Sequence, residues 1–205
     1  MPSRNIVKEY APASFYHAYN RGVEKRVIFN DEQDHIYFLY LLKRQLSTNR
    51  AVDSKGREFK NYYGELELVA FCLMPNHFHM LIYQNDNEVA ISAFMQSLLV
   101  AYTGYFNRKY DRVGGLFQSC FKAVLISNDA YLLHISRYIH LNPKNYEDHQ
   151  YSSLPYYTKK WSADWVKPQK ILDLFEGSDY VEFLKDHVGH RAMLKEIKHE
   201  LANPV

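Results

Sequence analysis

The sequence predicts an α+β protein built on an antiparallel, ferredoxin-like sheet that is covered by helices and followed by a helical C-terminal appendage. Segments with strand and helix periodicity alternate in the order β-α-β-β-α-β-α, which is typical of that fold. Two strand segments, 66–74 and 77–83, are separated only by Pro75 and Asn76, so we expect an antiparallel hairpin. The third observation is a change of composition after about residue 150.

The first elements follow from local signals. Residues 15–20 are short and rich in aromatic side chains, and a glycine ends this predicted strand. Asn30 is predicted to cap a helix that runs to about Arg44, because acidic and amide side chains fill the turn after it. Residues 47–61 are polar and are predicted to form a loop.

The elements after the hairpin are read in the same way. Apolar side chains at helical spacing predict a long helix over 87–110, and 122–126 is predicted to be a short strand. Asn128 is a typical cap for the next helix, which we expect to run to about Leu141. Pro143 ends that helix because it cannot continue helical hydrogen bonding.

The domain organisation is predicted from the change in composition. Residues 1–150 form the predicted main domain, which is expected to carry the function, and 151–205 form a linker with a helical appendage. Pro155 and Pro168, with the chain's two tryptophans near them, mark the linker region.

Composition limits the class of protein. With 205 residues and 47% hydrophobic residues, the chain can build a core. No run of 18 apolar residues is present, so no membrane span is expected, and the N-terminus lacks the apolar stretch of a secretory signal. Two cysteines do not make a disulfide framework. We therefore expect a cytoplasmic protein, associated with the nucleoid if it binds DNA.

Charge and aromatic content are compatible with a nucleic-acid partner without proving one. The net charge of +2 is small, whereas 18 Tyr and 12 Phe residues are many for this length. Aromatic rings interleaved with basic residues suit stacking on unpaired bases. A tyrosine-rich core and surface would give the same composition.

His77 and His79 lie two residues apart on a predicted strand. Side chains alternate across a strand, so both imidazoles should project from one face, toward the surface, while Phe78 points into the core. Two imidazoles on one face can hold a metal ion. The same pattern also fits two half-buried histidines without a ligand.

Tyr138 and Asn142 lie four residues apart at the end of the predicted third helix, so they share a helical face if the last turn persists. A phenol on that face could act as a nucleophile beside a metal ion, with His134, one turn earlier, as a possible helper. The amide could supply a third metal ligand through its oxygen. A packing tyrosine and a C-terminal cap would show the same spacing.

Three motifs resemble the REP-associated tyrosine transposases, single-strand endonucleases with a His-hydrophobic-His motif. They are YHAYNRG (16–22), LMPNHFHMLI (73–82) and RYIHLNP (137–143), in this order and with this spacing. The resemblance spans roughly residues 14–157. It implies a ferredoxin-like sheet, a divalent metal ion and a helix-borne catalytic tyrosine.

Carried over residue by residue, the resemblance makes His77 and His79 metal ligands, Tyr138 the nucleophile and Asn142 the third ligand. Mg²⁺ and Mn²⁺ both suit such mixed nitrogen and oxygen ligands, with the histidines favouring Mn²⁺. The implied reaction cleaves and rejoins single-stranded DNA through a covalent phosphotyrosine intermediate. The implied partner is single-stranded DNA with hairpin-forming, palindromic repeats, bound by a monomer or a homodimer.

Basic side chains are the candidate contacts to DNA phosphates. They lie after the first strand, at the end of the long helix and in the last strand: Arg21, Lys25, Arg26, Arg108, Lys109, Arg112 and Lys122. Relatives commonly carry Gly-Arg before the phenylalanine at position 121, where this chain has Ser119-Cys120. A basic contact is therefore missing or is supplied by Lys122.

Three other functions fit parts of the pattern. A sheet of this type can bind single-stranded RNA without chemistry. A metal-dependent hydrolase could use water as its nucleophile and leave Tyr138 structural. A replication or conjugation nickase shares the motif, but such enzymes usually belong to longer chains.

Overall fold

The computed structural model describes residues 10–175 and 179–186, and it confirms the predicted ferredoxin-like α+β fold. Four strands form one antiparallel sheet in the order β2-β3-β1-β4. The strands are β1 (Ser14–Arg21), β2 (Leu66–Met74), β3 (His77–Gln84) and β4 (Lys122–Ile126). The main helices are α1 (Glu32–Leu46), α2 (Ala90–Lys109) and α3 (Asp129–His140), and short helices follow at α4 (Leu154–Tyr157), α5 (Gln169–Leu172) and α6 (Tyr180–Lys185).

Helices α1 and α2 cover one face of the sheet. Phe78 of β3 is fully buried on this face, as predicted, and packs against Phe38 of α1 at a ring distance of 5.3 Å. The cap of α1 is Asp31, whose side chain accepts from the backbone N–H of Asp34, and not Asn30 as predicted. Asp31 has the extended backbone of a cap, and its carboxylate also suits the positive end of a helix.

Helix α3 covers the opposite face. Its cap is Asn128, as predicted, whose side chain accepts from the backbone N–H of Tyr131 at 2.8 Å. Leu132, Ile135 and Ile139 are buried at helical spacing and form one core with the sheet. This packing fixes the helix that carries Tyr138.

The outer edge of β2 is covered by the chain that follows residue 150. Ser153 donates its backbone N–H to the carbonyl of Phe71, and Lys167 donates to the carbonyl of Leu68. Covering an edge satisfies backbone groups that would otherwise be open to pairing with another chain. The described part of the predicted appendage therefore packs on the same sheet. Its separation from a domain 1–150 stays a prediction, and 187–205 lie outside the described residues.

No helix in the described ranges is long and apolar enough to span a lipid bilayer. Cys72 is buried, Cys120 is exposed, and neither forms a disulfide, as the cysteine count predicted.

His140 connects α3 to two segments that follow it in the chain. Its Nδ1 lies 2.7 Å from the hydroxyl of Tyr180, and its Nε2 lies 2.7 Å from the hydroxyl of Ser153. The Ser153 hydroxyl in turn accepts from the backbone N–H of Phe71. Burial lowers the pKa of His140 to about 3, so this imidazole is neutral in the folded protein.

We expect His140 to make the folded protein sensitive to acid. In the unfolded chain this residue is protonated near pH 6.5, whereas in the folded protein it is protonated only near pH 3. The contribution of His140 to the free energy of unfolding is therefore fully present above pH 6.5 and falls by about 1.4 kcal/mol for each pH unit below it, down to about pH 3. The free energy of unfolding of His140→Gln, measured by urea unfolding at several pH values between 4 and 6, should depend less steeply on pH than that of the wild type. The difference in slope should be about 1.4 kcal/mol per pH unit. An unchanged slope would show that His140 is not held neutral.

Candidate active site

The candidate site lies on the sheet face that α3 covers, at one end of the strands. Antiparallel pairing sets Arg21 opposite His77 and Tyr19 opposite His79, and paired residues share a face. Tyr19 is also opposite Lys122 of β4. The two histidines therefore share a face, as predicted, and the pairing adds two basic side chains and a tyrosine to it.

A hydrogen-bond chain fixes the tautomer of His77. Asn76 donates its amide N–H to the carbonyl of Lys25 at 3.0 Å, so its oxygen is the atom that faces His77 Nδ1 at 2.7 Å. An amide oxygen only accepts, so His77 Nδ1 carries the proton. Burial, and then the charge of Arg21, lower the pKa of His77 to about 4, against the hydrogen bond that only the charged ring would donate to Asn142, which raises it. His77 Nε2 consequently keeps a free lone pair at neutral pH.

The free lone pair of His77 Nε2 faces the side-chain oxygen of Asn142 at 3.3 Å. With the proton on Nδ1, both atoms are acceptors, and two facing acceptors suit a shared cation. Neighbouring ligands of an octahedral ion at about 2.1 Å lie about 3 Å apart. The spacing of this pair therefore fits two ligands of one metal ion.

His79 is held by a third histidine that the sequence interpretation missed. The Nδ1 of His79 lies 3.0 Å from the Nε2 of His17 on β1, and the two rings stack at 5.1 Å. His79 is only 4% exposed and His17 1%, so the prediction that His79 faces the surface is wrong. Burial, and then the neighbouring histidines and Arg21, hold the pKa of His79 well below 6.5.

The arrangement matches the support that metal-binding histidines commonly have. Such a histidine usually donates its second N–H to a neighbouring group, which fixes the tautomer and the ring orientation. Asn76 accepts from His77 in this way, and His17 is placed to accept from His79. Neutral imidazoles are the form that binds a metal ion.

Tyr138 lies against this cluster. Its ring centre is 5.2 Å from that of His79 and 6.1 Å from that of His17, and the residue is 6% exposed. Burial raises the pKa of the phenol, whereas a hydrogen bond with Asn142 and the charge of Arg21 lower it. Asn142 thus interacts with both His77 and Tyr138. The four residues predicted as a site are brought together, while their chemical roles stay predictions.

The side chains present fit a divalent ion only if Asn142 takes part. Within 10–175 and 179–186, no three His, Cys, Asp or Glu side chains form a group that could hold a metal ion. The candidate donors are the imidazoles of His77 and His79 and the amide oxygen of Asn142. This mixed set suits Mg²⁺ or Mn²⁺ with water as further ligands, and less so a four-coordinate zinc site.

Of the predicted DNA contacts, Arg21 and Lys122 are nearest to the site. The charge of Arg21 lowers the pKa of both histidines and of Tyr138, which places the guanidinium within electrostatic range of all three. The Lys122 ammonium lies 5.9 Å from the ring centre of Tyr19, and burial and then Arg21 lower its pKa. Both cations suit an anionic phosphate at this end of the sheet.

The structure gives Lys109 a different role from the predicted one. Its ammonium lies 2.8 Å from carboxylate oxygens of both Asp31 and Asp34, so its charge is already neutralised within the protein. Arg112 is partly engaged, since it donates to the side-chain oxygen of Asn107 at 2.9 Å. The predicted phosphate contact is therefore not supported for Lys109.

The remaining predicted contacts lie at the surface. Lys25 and Arg108 are exposed, and Arg26 is half-buried beside the turn that holds Asn76. Gly22 is required in that turn because an added Cβ would lie 2.3 Å from the carbonyl oxygen of Arg26. Contacts of these three side chains with DNA stay predictions.

His134 contacts helix α6. Its ring centre is 6.2 Å from that of Phe183 in α6, on the side of α3 that the C-terminal segment covers. A role of this histidine in activating Tyr138 stays untested.

We expect His17 to control the affinity of the site for metal. His17→Leu keeps bulk but removes the acceptor for His79, and loss of such a partner typically weakens binding 10- to 100-fold. His17→Gln keeps an oxygen near the position of Nε2 and should bind nearly as the wild type does. Titration calorimetry with MnCl₂ at pH 7.5 on folded variants measures this. If His17→Leu and the wild type bind Mn²⁺ with equal affinity, His17 does not support the metal site.

Comparisons with known proteins identify a family and a fold to which this chain is similar. The model of the IS200-like transposase family matches residues 57–142, which include both candidate histidines, Tyr138 and Asn142. The search among curated proteins finds no significant match. A solved REP-associated tyrosine transposase bound to a REP hairpin is similar in fold, with a TM-score of 0.57 and 15% identity over 78% of this chain and 90% of that one.

A second solved structure, a candidate transposase of Deinococcus radiodurans R1, gives a TM-score of 0.39 and 19% identity over 68% of this chain and 95% of that one. That likeness is too weak to carry an argument, and the first shows the fold alone. The matched segment contains the whole candidate site except the β1 side chains. By that match, residues 57–142 of this chain are similar to the IS200-like transposases.

Proposed function

We propose that this protein is a metal-dependent, single-stranded DNA endonuclease and transposase that works through a covalent phosphotyrosine intermediate. The observation that carries the proposal is the meeting of neutral His77 and His79, the Asn142 oxygen and the Tyr138 phenol in one cluster. The match of residues 57–142 to the model of the IS200-like transposase family supports the transposase class. The arrangement also matches what a phosphoryl-transfer site needs, namely positioning and charge neutralisation.

His77, His79 and Asn142 would hold the divalent ion. When bound, a Mg²⁺ or Mn²⁺ ion neutralises phosphate charge and orients the group for in-line displacement. His17 and Asn76 keep the two imidazoles in the tautomer that leaves a lone pair available. Arg21 and Lys122 supply further positive charge for the DNA backbone.

Tyr138 is the proposed nucleophile. Its phenolic oxygen forms a bond to phosphorus as the bond from phosphorus to the departing sugar oxygen breaks. The phenol loses one proton to solvent and the sugar oxygen gains one, so the phosphodiester charge is unchanged. The positive charge of Arg21 favours the ionised phenol, which burial alone disfavours. The linkage formed retains the energy for rejoining, without ATP.

The proposed substrate is an unpaired strand beside a hairpin. The solved relative of similar fold is bound to a REP hairpin. In this chain, Tyr19 is half-buried at the site and stands between His79 and Lys122, at 5.8 Å and 5.9 Å from its ring centre. An aromatic ring beside a cation suits the stacking of an unpaired base next to a held phosphate.

Replacing Tyr138 by Phe separates this proposal from the alternatives. The ring and its packing remain, so the variant should lose less than about 1.5 kcal/mol of stability. Cleavage and the covalent adduct should both disappear, because Phe has no nucleophile, while DNA binding persists. A denaturing gel after incubation of a single-stranded repeat hairpin with Mn²⁺ detects the adduct. A hydrolase that uses water would still cleave, and a binding module would form no adduct even as wild type.

Tyr131→Phe is the matched control. Tyr131 lies on α3 nearly two turns before Tyr138 and is half-buried. This variant should keep both cleavage and the adduct. Mass spectrometry of the trapped peptide locates the linkage, and DNA on Tyr131 would reverse the assignment while leaving the enzyme class intact.

Substrate form gives an independent prediction. The wild type should bind a hairpin with a single-stranded flank more tightly than a fully paired duplex of the same sequence. Binding to both should weaken as salt rises, because phosphate contacts release counterions. Fluorescence anisotropy at several salt concentrations measures both effects. Equal affinity for the duplex would contradict recognition of an unpaired strand.

A further inference from the structure

A separate cavity lies at the far end of the sheet from the candidate active site. Its volume is about 320 Å³, and it lies where Val166 pairs with Leu68 near the start of β2. His77 follows the other end of β2, after Met74. Six residues at about 3.3 Å each place the two ends about 20 Å apart. The cavity is thus distinct from the histidine cluster.

Trp161 is the more exposed of two aromatic side chains that line this cavity. It is 48% exposed, and its contact with Tyr156, which also lines the cavity, is edge-on at 5.7 Å and 76°. The other tryptophan, Trp165, is 7% exposed and stacks on Phe71 in the core. Trp165 therefore has a packing role, whereas about half of Trp161 stays open to a ligand.

The cavity is positively charged. Lys159 and Lys167 line it, and Lys160 is next to Trp161 in the chain. Across the described part of the chain, none of these three lysines lies within 4 Å of a carboxylate. The nearby carboxylate of Asp164 is already bound by the hydroxyl groups of Ser47 and Thr48, at 2.7 Å each. The ammonium of Lys167 lies 5.7 Å from the ring centre of Tyr63, a contact that does not neutralise its charge. The lysines therefore remain available for an anion.

A half-exposed aromatic ring between uncompensated lysines matches the chemistry of single-stranded nucleic acid. The ring stacks on an unpaired base, and the lysines contact the phosphates on either side of it. A neutral small molecule would make no ionic contact with the lysines, and a paired duplex presents no free base face within the helix. The charge and the ring together favour one occupant.

We propose that this cavity binds one unpaired base of a DNA strand, stacked on Trp161, with Lys159 and Lys167 on the flanking phosphates. The inference rests on the proposed function for its ligand class, and it adds a contact remote from the scissile phosphate. Such a contact would hold single-stranded sequence outside the region that is cleaved.

Tryptophan fluorescence tests this directly, because only two tryptophans are present and one is buried. Titration with a ten-nucleotide oligothymidylate should quench the wild type and leave Trp161→Phe unquenched. Trp161→Ala should bind the oligonucleotide about 5- to 150-fold more weakly, which is the range that stacking supplies. In the double variant Lys159→Ala/Lys167→Ala, log affinity should fall less steeply with log salt concentration. The magnitude of the slope should be smaller by about 1.4, at about 0.7 per lost phosphate contact.

Tyr40→Ala is the matched control. Tyr40 is 47% exposed on α1, near the Arg44 guanidinium at 5.7 Å from its ring centre, and it lines no part of the cavity. The Tyr40→Ala variant should bind the oligonucleotide with the affinity of the wild type, and its tryptophan fluorescence should be quenched to the same extent. Equal affinity of Trp161→Ala and wild type, or equal quenching by a blunt duplex, would overturn the proposal.

The outcome is independent of the test of catalysis. If Trp161 is quenched and no tyrosine adduct ever forms, the base site stands and the proposed enzyme function fails. If adducts form normally and Trp161→Ala binds as the wild type does, the base site fails and the enzyme function stands.

Discussion

The register between β1 and β3 is the constraint on which the site depends. Because side chains alternate across a strand, this pairing brings His17 next to His79 and Arg21 opposite His77, on the face that α3 covers. A slip of one residue would send these histidines into the opposite core and bring Phe78 out. The register is protected from both sides, because Phe78 is fully buried against α1 and the turn before β3 is bound to the loop after β1.

Burial does the electrostatic work at the site. Three adjacent imidazoles, those of His17, His77 and His79, are kept neutral because burial lowers the pKa of each. The charge of Arg21 lowers the pKa of His77 and His79 further. The same guanidinium that disfavours imidazolium favours an ionised phenol and an anionic phosphate. Burial therefore keeps the histidines neutral, and the Arg21 guanidinium adds to this effect while it offsets part of the effect of burial on the Tyr138 phenol.

Local patterns in the sequence predicted the strands, the order of elements and the cap at Asn128, since each depends on residues close together in the chain. They also predicted that His77, His79, Tyr138 and Asn142 would meet, although that rested on a family resemblance as much as on spacing. They missed His17, whose partner is 62 residues away and whose role depends on strand pairing. They misjudged Lys109 for the same reason, because its carboxylate partners lie on another helix.

The burial of Tyr138 bears on why a tyrosine, and not water, suits the proposed reaction. A phosphotyrosine linkage serves rejoining only if water does not hydrolyse it first, and a site that excludes water protects such an intermediate. Tyr138 is 6% exposed, and α3 is held on its far side by the buried contacts of His140 with Tyr180 and Ser153. The chain after residue 150 thus supplies groups that fix the helix that carries Tyr138. The segment that looked like an appendage in the sequence contributes to the dryness and rigidity that strand rejoining would require.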